Sequence, residues 1–230
     1  MKTIVLIGQK GGVGKTTLTT ALAVAATLAG FETVIIDTDP QLSATNWKAR
    51  RGADRGPLVV KSDAATLPAL LETCRQNGAE YVFIDTPGKL ADRPGQLAPE
   101  AVAAAQAADL VLIPVRQQIF EVETLAPARA LIEAAGGPAA AVIVNGAHPS
   151  TKNPADDMRQ LVAGLFNLPV ASAFICHRSA YANAPSSGQG PQEIDPEGKA
   201  AAEIAALFEY VHKSTTPQTH ATNERTARHG

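Results

Sequence analysis

The sequence predicts an α/β fold: a mainly parallel, twisted β-sheet with helices on both faces. Three observations lead there. Apolar runs of strand length alternate with helix-length periodic segments along the chain. Most of these runs are continuous rather than alternating, as strands covered on both faces require. The first run also passes through a glycine-rich turn straight into a helical pattern, which places a ligand site at the carboxyl ends of the strands.

Taken in order, the predicted strands are Thr3–Ile7, Thr33–Ile36, Leu58–Val60, Tyr81–Ile84, Leu110–Val115, Ala140–Val144 and Val170–Phe174. The predicted helices are Thr16–Ala29, Leu42–Arg50, Thr66–Asn77, Pro99–Ala107, Val122–Ala135, Asp156–Phe166 and Glu197–His212. Pro185–Pro196 is rich in Gly, Pro and Ser and reads as a loop. One domain is expected over residues 1–213, followed by a polar tail, 214–230, without hydrophobic period.

Composition narrows the function. With 45% hydrophobic residues and 4% aromatics, a large core must be built from Ala, Val, Leu and Ile. The net charge of -2 excludes a histone-like basic protein. Cys74 and Cys176 form no C-x-x-C pair, so a cysteine-held cluster or zinc has no basis and a reducing cytoplasm is expected. His148, His177 and His212 lack metal-ligand spacing and are expected at the surface. No run reaches the ~18 apolar residues a membrane span needs.

The chemistry concentrates in three places. After the first strand comes G-Q-K-G-G-V-G-K-T-T, Gly8 to Thr17, opening a helix. Glycines let backbone N–H groups converge on phosphate oxygens, and the helix N-terminus adds its positive dipole. Lys15 supplies charge for the β- and γ-phosphates, and the Thr16 hydroxyl is a Mg²⁺ ligand type. The strict G-x-x-x-x-G-K-[ST] pattern fails by one residue, because Gln9 holds the first glycine position. The second place is V-I-I-D-T-D-P-Q, which sets Asp37 and Asp39 at a strand end. Two such carboxylates can hold Mg²⁺ through water and orient an attacking water, while a helix cap remains open for Asp39. The third is Y-V-F-I-D-T-P-G, where a buried strand delivers Asp85 towards a metal-bound water and Gly88 opens a flexible loop.

K-G-G-V-G-K-T-T, with a lysine ahead of the glycines, resembles the deviant Walker A loop of the ParA/MinD superfamily of P-loop ATPases. D-T-D-P-Q and F-I-D-T-P-G resemble that family's Walker A′ and Walker B segments, and D-L-V-L-I-P-V, I-V-N-G, R-S-A-Y-A-N-A and D-P-E-G-K-A-A-A-E-I continue the likeness to about residue 212. The resemblance implies ATP and Mg²⁺ as cofactors. Gly11, Gly12, Val13, Gly14, Lys15, Thr16 and Thr17 would cradle the nucleotide, and Thr16, Asp37 and Asp85 would serve the metal. It makes Lys10 a signature lysine that crosses an ATP-sandwich homodimer, and Asp39 the residue that positions the hydrolytic water, so Lys10, Lys15 and Asp39 form the catalytic set. It places Asn145 at the adenine, where an amide has the needed donor and acceptor; an Asn turn stays open from the residues alone.

A short ParA type without an N-terminal DNA-binding domain is therefore expected. By resemblance it would close a dimer on ATP, bind nonspecific DNA at the nucleoid, and hydrolyse ATP slowly when stimulated by a ParB-like or other cargo adaptor. Membrane binding of the MinD type is disfavoured, since residues 216–230 contain no Leu, Ile, Phe or Trp. Clustered cysteines for nitrogenase-reductase or Mrp-like chemistry, and a C-terminal tyrosine cluster, are missing. A nucleotide-dependent scaffold without useful turnover, or a synthetase of the dethiobiotin type, stays open. For DNA contact the candidates are Arg178 and the cluster Lys48–Arg55. The stretch Gln41–Lys61 holds five basic residues against one acidic, and an ordinary solvated surface is the alternative.

Overall fold

The computed structural model describes residues 1–93, 96–116, 125–162 and 166–216. Strands β1 (Lys2–Leu6), β2 (Thr33–Asp37), β3 (Leu58–Lys61), β4 (Tyr81–Asp85), β7 (Leu110–Val115), β8 (Ala140–Ala147) and β9 (Ile175–Cys176) form a seven-stranded sheet in the order β3-β2-β4-β1-β7-β8-β9. Every pairing in it is parallel. Helices α1 (Lys15–Leu28), α2 (Ser43–Arg51), α3 (Leu67–Gln76), α4 (Pro99–Gln106), α5 (Leu125–Ala134), α6 (Pro154–Val162), α7 (Ser179–Asn183), α8 (Pro191–Ile194) and α9 (Lys199–Ser214) connect and cover the strands.

The continuous apolar runs are explained by two cores, one on each face. Val5, Ile36, Val82, Ile84 and Val111 point to a layer made with α3, α4, α5 and α6. Their neighbours Ile4, Leu6, Ile35, Phe83 and Leu112 point to the other layer, made with α1, α2 and α9. Burying each such side chain contributes roughly 1.5–3 kcal/mol, so neither face tolerates a polar alternation. In α1 the small residues Ala21, Ala23 and Ala26 are buried with Leu18 and Leu22, which lets the helix lie close between the sheet and α9. β1 sits between β4 and β7, where the strand order reverses direction, so the loop after β1 opens into the crevice such sheets use for ligands.

Four expectations need correction. The last strand is not Val170–Phe174: Val170 makes one isolated bridge to Val142, and pairing resumes at Ile175 opposite Asn145. Between these pairs, two residues of β8 (143–144) face four on the edge segment (171–174), so the ladder is interrupted there. β8 runs to Ala147, beyond the expected Val144, so Asn145 is a strand residue and not a turn. Pro185–Pro196 is not plain loop. It holds a 3₁₀ turn, Ala184–Ser187, and α8, each with proline at the start of its first turn, where the missing N–H has no helical partner to lose. His212 is half-buried, not a surface residue: its Nδ1 lies 2.7 Å from the Tyr81 hydroxyl, among Phe31 and Phe208.

The loop after β4 carries a short antiparallel pair, β5 (Ala91–Arg93) with β6 (Gln96–Leu97), which periodicity had not indicated. Part of the expected helix Val122–Ala135, residues 122–124, and part of Asp156–Phe166, residues 163–165, lie outside the described residues. So do residues 217–230 of the expected tail.

Candidate nucleotide site

The loop Gly8–Gly14 joins β1 to α1 with Gly12 at φ 77° and Gly14 at φ 94°, a region L side chains rarely adopt. Gly14 is constrained twice, because a Cβ there would lie 2.2 Å from Asn145 Nδ2. α1 begins at Lys15 with no side-chain cap, which leaves the N–H groups of its first turn facing the loop as an anion site. Neighbouring elements hold the loop's shape. Asn145 Nδ2 donates to Val13 O at 2.6 Å, and Arg116 Nη2 donates to Gly12 O at 3.0 Å. Gln9, at the position of the missing glycine, accepts the Leu90 N–H on its Oε1 at 3.1 Å and ties the loop to the segment after β4.

Three carboxylates converge beside the loop from adjacent strand ends. Asp37 and Asp85 are register partners on β2 and β4, and Asp85 also pairs with Leu6 on β1. Thr38 Oγ1 donates to Asp85 O at 2.8 Å and Thr86 Oγ1 to Leu6 O at 2.7 Å, which locks these three strand ends together. Asp85 is fully buried. Its Oδ2 accepts the Thr16 hydroxyl at 2.7 Å, whereas its Oδ1 has no hydrogen-bond partner. Burial pushes its carboxyl up to about 7; the Thr16 bond and Lys15 oppose that shift, and Asp37 and Asp39 add to it. Lys15 is buried too, and burial lowers its ammonium pKa against the pull of Asp85 and Asp39.

Asp37 is more engaged than its sequence role suggested. Its Oδ2 accepts both the backbone N–H and the hydroxyl of Thr45, each at 2.8 Å, and its Oδ1 accepts the Asp39 N–H at 3.2 Å. Asp39 is half-buried and accepts the Gln41 N–H at 2.9 Å, closing a tight turn ahead of α2. Lys10 stands exposed on the loop. Thr17 and Asn145 lie on the other side of the loop, where a cavity of about 800 Å³ runs from Gly12, Gly14 and Thr17 to Asn145, His148, Arg178 and Tyr181. That volume suits a cofactor-sized ligand. A second cavity of about 580 Å³, under α3 and β3, shares none of these residues.

A divalent cation fits these residues. The orphaned, buried Asp85 Oδ1 and the Thr16 hydroxyl are hard oxygen donors. Among the described residues no group of three or more His, Cys, Asp or Glu makes a metal cage, so such a cation would draw most of its ligands from phosphate and water, as Mg²⁺ does.

Of the basic cluster considered for DNA contact, Arg51 turns inward, whereas Arg50 and Arg55 stay exposed. Arg51 is buried, paired with Glu193 at 2.7 Å, stacked on Trp47 and bonded to Gly188 O. Arg55 also reaches Glu193, Lys48 donates to backbone carbonyls, and Arg50 donates to Pro185 O. Arg178 pairs with Glu203 and lines the cavity. Sequence reasoning missed Arg116 and Thr45, and it marked Gln9 only as the departure from the strict loop pattern. Arg116 carries the same signal as Asp85, the first polar residue after a continuous apolar strand.

The loop, the carboxylates and the cavity define a phosphate-loop nucleotide-binding protein. The chain belongs to the CobQ/CobB/MinD/ParA nucleotide binding domain family, which matches residues 4–191. It is similar to the Maintenance of carboxysome distribution protein A of Gloeobacter kilaueensis, 39% identical over 117 residues, covering 49% of this chain and 48% of that protein. It is also similar to the Chromosome-partitioning ATPase Soj of Thermus thermophilus, 31% identical over 165 residues, covering 58% and 62%. The matched stretch thus spans about half to three-fifths of these curated relatives. In fold it resembles the septum site-determining protein MinD of Pyrococcus horikoshii complexed with Mg-ADP, with a TM-score of 0.69, 18% identity, and coverage of 92% and 96%. Among the described residues, no helix is long and apolar enough to cross a membrane.

Proposed function

We propose that this chain is a ParA-type ATPase that uses ATP with Mg²⁺ to position a cargo. The observation that carries the reading is the Asp85 carboxylate: buried, half unpartnered, and held beside Lys15 and Thr16 at the open end of α1. Thr16 and Asp85, with Asp37 through water, would hold the cation, which when bound offsets charge on the β- and γ-phosphates.

The chain's own groups divide the remaining work. The loop N–H groups and the first turn of α1 cradle the phosphates, and Lys15 brings a buried positive charge to them. Asp39 orients a water for in-line attack on the γ-phosphorus; a new P–O bond forms, the bond to ADP breaks, and ADP and phosphate leave. Lys10, exposed on the loop, would reach the phosphates of a second copy. The ATP-bound dimer would bind DNA without regard to sequence, and a ParB-like or other cargo adaptor would stimulate hydrolysis and release. Two relatives named for carboxysome distribution and chromosome partitioning support a positioning role.

The test takes the purified chain with ATP, ADP or no nucleotide and measures phosphate release, mass by light scattering, and gel shifts on two unrelated duplexes. Slow turnover, twice the monomer mass, and salt-sensitive binding to both duplexes with ATP are expected. ATP binding without turnover, with or without DNA, would favour the scaffold. Phosphorylation of a small carboxylate would favour the synthetase.

A further inference from the structure

The carboxylates and the large cavity lie on opposite sides of the phosphate loop. Asp37 and Asp85 end β2 and β4, whereas the cavity is walled by the end of β8 and the segment after β9, across β1 and β7 in the sheet order. A nucleotide seated with its phosphates on the loop would therefore carry its base towards Asn145, Arg178 and Tyr181.

The last helix fixes that wall through a single carboxylate. Glu203, on α9, receives four donors. Its Oε1 accepts Arg178 Nε at 2.7 Å and Nη2 at 2.6 Å; its Oε2 accepts the Tyr181 hydroxyl at 2.9 Å and the Cys176 N–H at 3.2 Å. The Glu203 side chain is 12% exposed, so these bonds are shielded from water. Cys176, Arg178 and Tyr181 all line the cavity, while Glu203 itself is not among its lining residues. Burial and the adjacent Glu203 charge push the Tyr181 phenol far above its ordinary range, so the hydroxyl stays a donor. Glu203 also lies beyond residues 4–191, the part matched by the nucleotide-binding family.

We propose that Glu203 is a positioning residue of the nucleotide site: it holds Arg178 and Tyr181 on the base-side wall, and so joins base recognition and the docking of the C-terminal helix into one equilibrium. This deepens the nucleotide reading given above and rests on it. Coupling of this kind is reciprocal, so a base that orders the wall also holds α9.

The test is isothermal titration of the full chain and of Glu203→Gln with two Mg²⁺-loaded probes, ATP and inorganic tripolyphosphate, which lacks a base. The amide keeps the shape of Glu203 but turns one acceptor into a donor, facing either Arg178 or the Tyr181 and Cys176 pair. We expect ATP affinity to fall about tenfold and tripolyphosphate affinity to stay within about twofold. ATP, but not tripolyphosphate, should slow hydrogen exchange along α9, and Glu203→Gln should abolish that difference. Equal losses for both probes would mean general destabilisation and overturn the proposal, as would unchanged ATP affinity. Tyr181→Phe, which removes one of the four donors, provides a milder variant if Glu203→Gln does not fold, and should shift the same affinity ratio in the same direction. If the unaltered chain binds neither probe, the nucleotide reading falls and this inference with it; if it binds ATP and Glu203→Gln binds it equally, this inference alone falls.

Discussion

Thr16 and Asp85 meet where α1 and β4 converge: the hydroxyl donates to Asp85 Oδ2 at 2.7 Å, and Asp85 Oδ1 is left buried without a hydrogen-bond partner. Native proteins rarely leave such an atom unsatisfied, and beside a phosphate loop an ion is one physical reason for it. The same burial that raises the Asp85 carboxyl to about 7 makes its charge expensive until a cation arrives.

Asp85 should therefore make the metal-free protein less stable as pH rises. Its folded pKa, about 7, exceeds the ordinary 3.8, so the folded state binds the extra proton. The stabilisation is complete below 3.8 and is lost as pH rises through about 7. The span corresponds to an upper value on the order of 4 kcal/mol. Thermal melts of Asp85→Asn without metal should show this pH dependence removed and the variant more stable above pH 7. Mg²⁺ should stabilise the unaltered chain and not the variant. Identical pH profiles for the two would contradict the assignment.

Lys15→Ala should abolish most ATP binding while the fold survives. A charge-assisted hydrogen bond is typically worth about 1.5–3 kcal/mol, which is roughly ten- to a hundredfold in affinity. The lysine is also buried against its own pKa, so its loss should not destabilise the protein without nucleotide. Titration with ATP and a melting curve on the same sample read both effects. Unchanged ATP affinity would remove the loop's assignment.

Asp39→Ala should still bind ATP and accumulate as a dimer, because the phosphate loop is intact and the water is no longer oriented. Light scattering with ATP and Mg²⁺ should give twice the monomer mass, and adding Lys10→Ala should weaken that dimer. A monomer at saturating ATP would count against both residues' roles.

Why some of this was legible in the sequence and some not has a physical answer. Asp37 and Asp85 each end a continuous apolar run, so the pattern that buries the strand also marks where the carboxylate emerges. Arg116 follows directly on β7, the first polar residue after an apolar strand, and was readable in principle. Asn145 was ambiguous because a strand end and a turn share its flanking glycine, and only pairing with β9 decides. Arg51 and Arg178 looked like free surface charge because their partners, Glu193 and Glu203, lie on other elements far along the chain. No local pattern announces such pairs.

Gly14→Ala should destabilise the protein even without ligand. The residue sits at φ 94°, where an L side chain costs roughly 1–2 kcal/mol, and the new Cβ would overlap Asn145 Nδ2. Pairing it with Asn145→Ala should recover the overlap and leave the backbone cost. Melting temperatures of the two single variants and the double variant separate these contributions. Full recovery in the double variant would show that φ carries no penalty here.

Arg51→Ala tests whether the basic cluster holds the fold or faces a polyanion. The guanidinium is buried, makes two bonds to Glu193 at 2.7 and 2.9 Å, and donates to Gly188 O at 2.9 Å. Removing one partner of a buried pair typically costs about 3–5 kcal/mol when the other charge is left alone; here Arg55 still reaches Glu193 at 3.0 Å, so a loss below that range is expected. Burial works against the Glu193 charge, but Arg51 and the Gly190 N–H outweigh it and hold the carboxyl below its ordinary 4.5. That contribution is present above pH 4.5 and is lost as pH falls through the lower folded value, so the variant should also lose this acid-side dependence. Glu193→Gln should restore part of the stability lost in Arg51→Ala, since it removes a charge that only the exposed Arg55 then pairs. Melts between pH 3 and 8 on the single and double variants give the comparison, with gel shifts run on the same proteins. A variant as stable as the unaltered chain but defective in DNA binding would return Arg51 to the DNA face.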